Sequence, residues 1–155
     1  MPGVLVLNGP NLNLLGQREP AQYGTQTLAD VEKMCQEVGT ALDLSVDFRQ
    51  SNHEGQLIDW IHDAGLDYSA GRIIGAVMNP GAFTHTSLAL HDAIKGALLP
   101  LIEIHISNVH ARESYRQHSY ISPAAKGIVI GFGVIGYELA IRGLALQARD
   151  KQTQS

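Results

Sequence analysis

The strongest constraint on the fold is that five short apolar runs alternate with segments of helical periodicity along the 155 residues. A continuous apolar run that ends at turn residues is typical of a strand buried on both faces. The runs predict strands at residues 4–8, 44–49, 73–78, 101–106 and 128–130. The periodic segments predict helices at residues 27–42, 51–62, 86–97 and 137–149.

Five strands separated by helices predict an α/β protein with a parallel sheet covered on both faces. Because crossovers between parallel strands are right-handed, few topologies remain, and the flavodoxin-like order 2-1-3-4-5 is the commonest for five strands. We therefore expect a three-layer sandwich formed by a single domain over residues 1–149, followed by a polar tail over residues 150–155. Ser51 and Glu54 have the spacing of a capping box, which predicts the start of the second helix.

Composition argues against several classes of partner. The formal net charge is -4 and the basic residues do not cluster, so we expect no nucleic-acid partner. No apolar run approaches the ~20 residues of a membrane span, and the N-terminus lacks the layout of a signal peptide. We therefore expect a cytoplasmic protein with no membrane partner. The single cysteine, Cys35, lies in a helical pattern, which indicates a buried structural thiol.

Unusual polar residues follow the predicted strands at their carboxyl ends. In the expected strand order, ligands bind beyond those ends, near the switch point between the first and third strands. The carboxyl ends of parallel strands share one edge of the sheet, so these residues should lie close together. They are Asn11, Arg18 and Tyr23 after the first strand, Asn79 and His85 after the third, and His105, Ser107 and Arg116 at or after the end of the fourth.

Glu103 and His105 are two positions apart on a strand, so they project from the same face. A carboxylate beside a histidine fixes its tautomer and favours the imidazolium, which prepares a general acid. A purely structural ion pair would use the same two residues. Beyond them, the backbone amides of Ile106 and Ser107 could hold a substrate carboxylate.

Other residues near these strand ends have simpler interpretations. For Thr84 and Thr86, a cap on the helix that follows the third strand and a role in the cleft are equally open. Arg112 and Arg116 would share one face of a short helix predicted at residues 112–118, where solvated charge is the simplest role.

Two sequence patterns are typical of cofactor or metal sites, but each lacks the other features that such a site needs. Residues 131–136 read Gly-Phe-Gly-Val-Ile-Gly after a strand and before a helix, as in a dinucleotide site. No strand follows that helix to present an acidic residue to a ribose. We interpret the segment as a tight turn. The seven histidines form neither an H-E-x-x-H motif nor a Cys/His cluster, so we expect neither a metal nor another cofactor.

The stretch from Leu7 to Gly24 reads Leu-Asn-Gly-Pro-Asn-Leu-Asn-Leu-Leu-Gly-Gln-Arg-Glu-Pro-Ala-Gln-Tyr-Gly. It resembles, without a gap, the signature of the type II 3-dehydroquinate dehydratases, or type II dehydroquinases. Further segments are similar to blocks of the same family, at residues 48–55, 79–87, 103–112 and 118–123. The departures are mild, with Phe83 where tyrosine is common and Tyr115 where phenylalanine is common.

This resemblance implies an anti elimination that converts 3-dehydroquinate to 3-dehydroshikimate through an enolate, the third step of the shikimate pathway. Tyr23 matches the catalytic base, and Arg18 matches the cation that lowers its pKa from the ordinary value near ~10. Asn11 matches the residue that holds a water on the enolate oxygen. His105, oriented by Glu103, matches the acid that protonates the departing hydroxyl.

The resemblance also implies how the substrate is held. The positions that match its binding residues are Asn79, His85, Ile106, Ser107 and Arg116. Asp92 matches a residue that reaches the site from a neighbouring subunit of a homo-oligomer, which in this family is a dodecamer built from trimers. The four lysines lie away from the predicted cleft, which favours enolate chemistry over the imine chemistry of the other dehydroquinase class.

The competing hypothesis is a non-catalytic flavodoxin-like module that holds a nucleotide or phosphate at the loop after the first strand. Phosphate loops usually add glycines and a lysine, or a helix N-terminus, directly after the strand. This loop instead runs on to Arg18 and Tyr23, with Gly16 and Gly24 near its ends. Such a layout suits a lid better than a phosphate cradle.

Overall fold

A computed structural model of the chain describes residues 1–17, 21 and 24–154. Its strands are β1 (Gly3–Asn8), β2 (Ser45–Gln50), β3 (Ile73–Asn79), β4 (Leu101–His105) and β5 (Gly127–Ile130). They form one parallel sheet in the order β2-β1-β3-β4-β5, which confirms the predicted topology. The sheet is covered by helices α1 (Leu28–Ala41), α2 (Glu54–Ser69), α3 (Leu88–Ala97) and α4 (Ile135–Thr153).

Two apolar cores lie on opposite faces of the sheet, because alternate residues of a strand point to opposite sides. On one face, Val4 and Val6 of β1 pack with α1 and α4. On the other face, Leu5 and Leu7 pack with α2 and α3. These β1 side chains are at most 5% exposed, so β1 is buried from both sides. The predicted three-layer α/β sandwich is therefore confirmed.

Cys35 lies in the core between α1 and the sheet, as predicted for a structural thiol. Its burial, with a smaller effect of the Glu32 carboxylate, raises the pKa of the thiol to about 12. The side chain is therefore an uncharged packing residue at neutral pH.

The start of α2 differs from the predicted capping box. The N-cap residue is His53, whose side chain makes no capping hydrogen bond. The Ser51 hydroxyl instead accepts from the backbone N–H of His53 at 3.0 Å and donates to Gln56 Oε1 at 2.6 Å. Ser51 thus closes the turn before the helix, and its hydroxyl reaches the first helical turn through the side chain of Gln56 and not through a backbone N–H.

The end of α2 lies beyond the predicted one. The helix continues past His62 to Ser69, and its residues Ala64 and Gly65 are buried. A Cβ added to Gly65 would lie 2.6 Å from the carbonyl oxygen of Ala97, at the end of α3. This close contact between the two helices gives the last turns of α2 a packing partner that periodicity alone does not reveal.

Neither threonine considered as a cap for α3 has that role. The Ser87 hydroxyl caps the helix by accepting from the backbone N–H of Leu90 at 2.9 Å. The short helix predicted at residues 112–118 is also absent, and two 3-10 turns, Val109–Ala111 and Ser114–Arg116, cover this part of the chain.

Helix α4 continues beyond its predicted end at Arg149 to Thr153. Lys151 Nζ donates to the Tyr68 hydroxyl at 3.1 Å and lies 5.5 Å from the centre of that ring, so the last turns contact the end of α2. In the parts of the chain that the structure describes, no helix is long and apolar enough to cross a membrane.

Candidate active site

The carboxyl ends of β1, β3 and β4 meet at one cavity, where the strand order predicts a ligand site. Of the residues singled out from the sequence, those that line it are Asn11, Asn79, His85, His105, Ile106, Ser107, Arg112 and Arg116. Asp92 does not line this cavity of its own chain and lies on α3. Arg18 and Tyr23 lie outside the described residues.

The floor of the cavity is a contact between two turns that follow β1 and β3. The backbone N–H of Gly9 donates to the Asn79 carbonyl oxygen at 2.8 Å. A Cβ on Gly9 would lie 2.3 Å from the Pro80 carbonyl oxygen, so only glycine allows this approach. On the facing turn, Gly81 has a φ of +59° and would place a Cβ 3.1 Å from the Pro10 carbonyl oxygen. The two turns therefore pack backbone against backbone.

Asn11 is presented at the cavity by a left-handed backbone conformation, with a φ of 69°, which asparagine tolerates better than most residues. Its backbone N–H donates to Asn52 Oδ1 at 2.9 Å. Gln50, at the end of β2, donates to the same Oδ1 at 3.0 Å and to the Gly9 carbonyl at 3.2 Å. These backbone-directed bonds hold the loop without using the side chain of Asn11.

Glu103 is fully buried in β4, behind His105. His105 Nε2 lies 2.5 Å from Glu103 Oε2, and the Thr84 hydroxyl donates to the same oxygen at 2.6 Å. The Ser119 hydroxyl donates to Oε2 at 3.0 Å, and the Ser122 hydroxyl donates to Oε1 at 2.5 Å. The carboxylate is thus satisfied from β4 itself, from the turn after β3 and from the segment before β5.

The ionisation of Glu103 follows from a balance of two effects. Burial raises the pKa of its carboxyl group, but the hydrogen bond and charge of His105 and the hydrogen bonds from Ser122 and Thr84 outweigh burial. The pKa therefore lies below the ordinary glutamate value, and the group is a carboxylate at neutral pH.

His105 is 6% exposed and is oriented by this carboxylate. Because Nε2 is engaged with Glu103, Nδ1 is the ring nitrogen available to a ligand in the cavity. A histidine held in this way can deliver a proton to a leaving group.

His85 is prepared differently. Its Nδ1 lies 2.8 Å from the His118 carbonyl oxygen, and a carbonyl can only accept, so Nδ1 carries the proton. Burial lowers the pKa of His85, and His105 and Arg116 lower it further, although the bond to the His118 carbonyl opposes them. His85 is therefore a neutral ring whose Nε2 is a hydrogen-bond acceptor.

Two arginines make one side of the cavity positive. Arg116 Nε lies 2.9 Å and Arg112 Nε 3.8 Å from Glu113 Oε2. Their side chains are only 20% and 9% exposed, respectively. The interpretation of these residues as solvated charge is therefore wrong, because the 3-10 turns fold both guanidinium groups over the cavity that they line.

The glycines at residues 131–136 form a tight strand-to-helix turn, as interpreted. The backbone N–H groups of Gly131 and Gly133 donate to the carbonyl oxygens of His105 and Ile106 at 3.1 Å and 3.0 Å. The turn therefore holds the end of β4. In the described ranges, no group of three or more histidine, cysteine, aspartate or glutamate side chains could hold a metal.

Sequence reasoning missed several residues that support this site. For Arg112 the pattern indicated only solvated charge, and for Thr84 it left a helix cap and a role in the cleft open without naming Glu103 as its partner. Ser119 and Ser122 lie in an irregular segment between β4 and β5, where periodicity gives no signal.

We expect Glu103→Gln to alter stability in a pH-dependent way. Because the folded-state pKa of Glu103 is depressed, its ionisation stabilises the wild type above the unfolded value of about 4.5, and this contribution is lost as pH falls through the folded pKa. The variant should lose about 1–3 kcal/mol near neutral pH. Its free energy of unfolding should also fall less steeply than that of the wild type between pH 5 and pH 3.

Urea unfolding across this pH range measures both effects. Glu138→Gln is the matched control, because Glu138 forms a surface pair with Arg142 and should cost less than about 1 kcal/mol. Identical pH dependence in Glu103→Gln and the wild type would contradict the inference that Glu103 is ionised in the native state.

Comparison with known proteins connects these features to one family. The family model described as Dehydroquinase class II matches residues 2–145. A protein named 3-dehydroquinate dehydratase from Variovorax paradoxus is 69% identical over 144 residues, which are 93% of this chain and 99% of that protein. A protein named 3-dehydroquinate dehydratase 2 from Ralstonia nicotianae is 64% identical over 152 residues, covering 98% and 99% of the two chains.

Solved structures give the same result. The crystal structure of type II dehydroquinase from Propionibacterium acnes has a TM-score of 0.88 and 44% identity, covering 94% of this chain and 97% of that one. The family model spans nearly the whole chain, and the relatives match almost end to end. The chain therefore belongs to the class II dehydroquinase family.

Proposed function

We propose that this chain is a type II 3-dehydroquinate dehydratase, a lyase that converts 3-dehydroquinate to 3-dehydroshikimate in the third step of the shikimate pathway. That pathway leads to chorismate and the aromatic amino acids. The main support for this proposal is the cavity, where the ring of His105 contacts the buried, ionised carboxylate of Glu103. The names of relatives up to 69% identical supply the substrate. A cytoplasmic location stays a prediction from the sequence.

The elimination needs one group that accepts a proton and another that donates one. Tyr23, as a phenolate, takes the proton from the carbon next to the ketone. The C–H electron pair forms the C=C bond of an enolate, and the π pair of the C=O bond moves onto the ketone oxygen. When the enolate collapses, the C–O bond breaks, and the hydroxyl leaves as water with a proton from His105. Glu103 supports this role because it orients the ring of His105.

Two further residues act on charge in this scheme. Arg18 keeps Tyr23 ionised, since a nearby cation favours the phenolate. Asn11 holds a water against the enolate oxygen, where negative charge develops. The role proposed for Asn11 is supported by its position just after the end of β1, where it lines the cavity. The backbone N–H of Asn11 holds the loop, so its side chain is not needed for that purpose.

The substrate is proposed to be held by Asn79, His85 and Arg116, together with the backbone amides of Ile106 and Ser107. The cavity offers a cationic side and a neutral histidine acceptor. A ligand that carries one carboxylate and several hydroxyl groups matches these features, because the cation pairs with the carboxylate and neutral groups bind hydroxyls.

We also propose that the chain assembles as trimers grouped into a dodecamer, with Asp92 contributing to the site of a neighbouring subunit. Asp92 is exposed on α3 and does not line the cavity of its own chain, as expected for a residue that serves another subunit. Leu88, one turn earlier on the same helix, is 57% exposed. An apolar side chain next to the carboxylate suits a contact with another copy of the chain.

The non-catalytic alternative is a nucleotide- or phosphate-binding module. Here β1 leads through Gly9, Pro10 and Asn11 into a short 3-10 turn, Leu12–Leu14. That turn is not a helix N-terminus of the kind that holds phosphate directly after a strand. A dedicated proton donor such as His105 would also have no purpose in a binding module, so the enzyme is favoured.

The function is tested by enone formation from 3-dehydroquinate, followed by ultraviolet absorbance. His105→Ala should lower turnover by roughly 10²- to 10⁴-fold, the usual contribution of a positioned proton donor. His62→Ala is the matched control, because His62 is exposed on α2 and does not line the cavity. No turnover by the wild type would reject the function, and a His105→Ala rate within threefold of wild type would reject the role of this residue.

The proposed role of Arg18 predicts a pH signature. Arg18→Gln should raise the pKa of Tyr23, and at neutral pH a pKa that is higher by about 1 leaves about tenfold less reactive phenolate. The rate deficit should therefore shrink as pH rises from 6 to 10. Tyr23→Phe is the control that cannot be rescued, because phenylalanine has no proton to lose. A deficit of Arg18→Gln that is constant at every pH would show a positioning role instead.

The proposed intersubunit site predicts complementation. Inactive Asp92→Ala chains co-refolded with inactive Tyr23→Phe chains should regain part of the activity, because some mixed sites contain both native residues. A mixture of Tyr23→Phe and His105→Ala chains is the control and should stay inactive, since both residues belong to the same chain's site. Confirmed mixed oligomers without recovery in the first mixture would place Asp92 outside a neighbour's site.

A further inference from the structure

A buried hydroxyl connects helix α4 to the ends of two strands below the cavity. Tyr137 is fully buried, and its hydroxyl lies 2.6 Å from Asn8 Oδ1 and 3.0 Å from Asn79 Nδ2. Asn8 and Asn79 are the last residues of β1 and β3 and are register partners in the sheet. Of the three residues, only Asn79 lines the cavity.

The hydrogen bonds run in a single direction. Asn8 Nδ2 donates to the Arg49 carbonyl at 3.0 Å, so its Oδ1 is the atom that accepts from Tyr137. The Tyr137 hydroxyl has one proton, which is used on Asn8, and its oxygen therefore accepts from Asn79 Nδ2. The backbone N–H of Gly81 donates to Asn79 Oδ1 at 3.1 Å.

This chain of bonds leaves the Asn79 amide one favourable orientation. If the amide flipped, its NH₂ group would face the N–H of Gly81, and both would be donors. Its oxygen would face the oxygen of Tyr137, whose proton is already used. Burial also raises the pKa of the Tyr137 hydroxyl above its ordinary value, so it keeps its proton at neutral pH.

We propose that Tyr137 is a positioning residue that turns the Asn79 amide so that an N–H, and not the carbonyl, faces the substrate. One N–H of Asn79 is used on Tyr137, and the carbonyl is used on Gly81, which leaves the second N–H as the donor for the cavity. Asn79 then selects a substrate oxygen that accepts a hydrogen bond. This inference rests on the proposed function, because it assigns the partner of that donor.

Tyr137→Phe removes the hydroxyl and keeps the buried ring. If the hydroxyl orients Asn79, the variant should raise KM for 3-dehydroquinate about 10-fold, the usual worth of one hydrogen bond, with kcat within threefold of wild type. In an Asn79→Ala background, the same substitution should leave KM unchanged, because the amide that it orients is missing. Tyr68→Phe is the matched control, because Tyr68 lies near the end of α2 and does not line the cavity, and it should change neither constant.

A purely structural role for Tyr137 predicts a lower urea midpoint with KM unchanged, or equal effects on KM with and without Asn79. Either result would overturn the inference. Should Tyr137→Phe fail to fold, Asn8→Ala tests the same point, because it frees the hydroxyl proton to turn toward Asn79. It should raise KM similarly, and an unchanged KM would count against the inference.

A second measurement does not depend on turnover. In protein labelled with ¹⁵N-asparagine, the Asn79 side-chain amide signals can be assigned by their loss in Asn79→Ala. They should shift in Tyr137→Phe and not in Tyr68→Phe. Unchanged Asn79 signals would overturn the inference even if the wild type is active, whereas an inactive wild type with shifted signals would reject only the proposed function.

Discussion

The arrangement of the cavity depends on one buried negative charge, the carboxylate of Glu103 in β4. Moving a carboxylate from water into a protein interior costs several kcal/mol unless donors compensate for the lost hydration. The donors to Glu103 come from parts of the chain far apart in sequence, including Thr84 after β3 and Ser119 and Ser122 before β5. Satisfying the charge therefore draws these segments toward β4. The same carboxylate orients His105, so one set of contacts both stabilises the fold and fixes the ring of a histidine that lines the cavity.

The charge around the cavity differs in sign from the net charge of the whole chain. The formal net charge is -4, yet Arg112 and Arg116 both line the cavity. His85 stays neutral beside them, because burial and the neighbouring positive groups disfavour a further positive charge. Glu103 supplies a buried negative charge in contact with His105. A small anionic ligand thus meets a cationic side and neutral acceptors, although the protein as a whole would repel it weakly.

The sequence predicted the position of the site because parallel strands end at one edge of a sheet. Polar residues at the ends of β1, β3 and β4, among them Asn11, Asn79 and His105, had to converge once the strand order was inferred. Residues in irregular segments, such as Ser119, follow no period and could not be placed. Arg112 was misjudged because its burial depends on how two 3-10 turns fold over the cavity. Residue 137 was predicted only as the start of the last helix, because its hydrogen bonds to Asn8 and Asn79 join positions far apart in the sequence.

The hydrogen bonds of Tyr137 to Asn8 and Asn79, at the ends of β1 and β3, also affect when the cavity can form during protein synthesis. A ribosome delivers β1 and β3 well before α4, which comes last in the described chain. Until α4 leaves the exit tunnel and docks, the amides of Asn8 and Asn79 lack the hydroxyl that fixes their orientation. A nascent chain could pair its central strands early and still hold an unfinished cavity. Completion of the cavity is thereby tied to the synthesis and docking of α4.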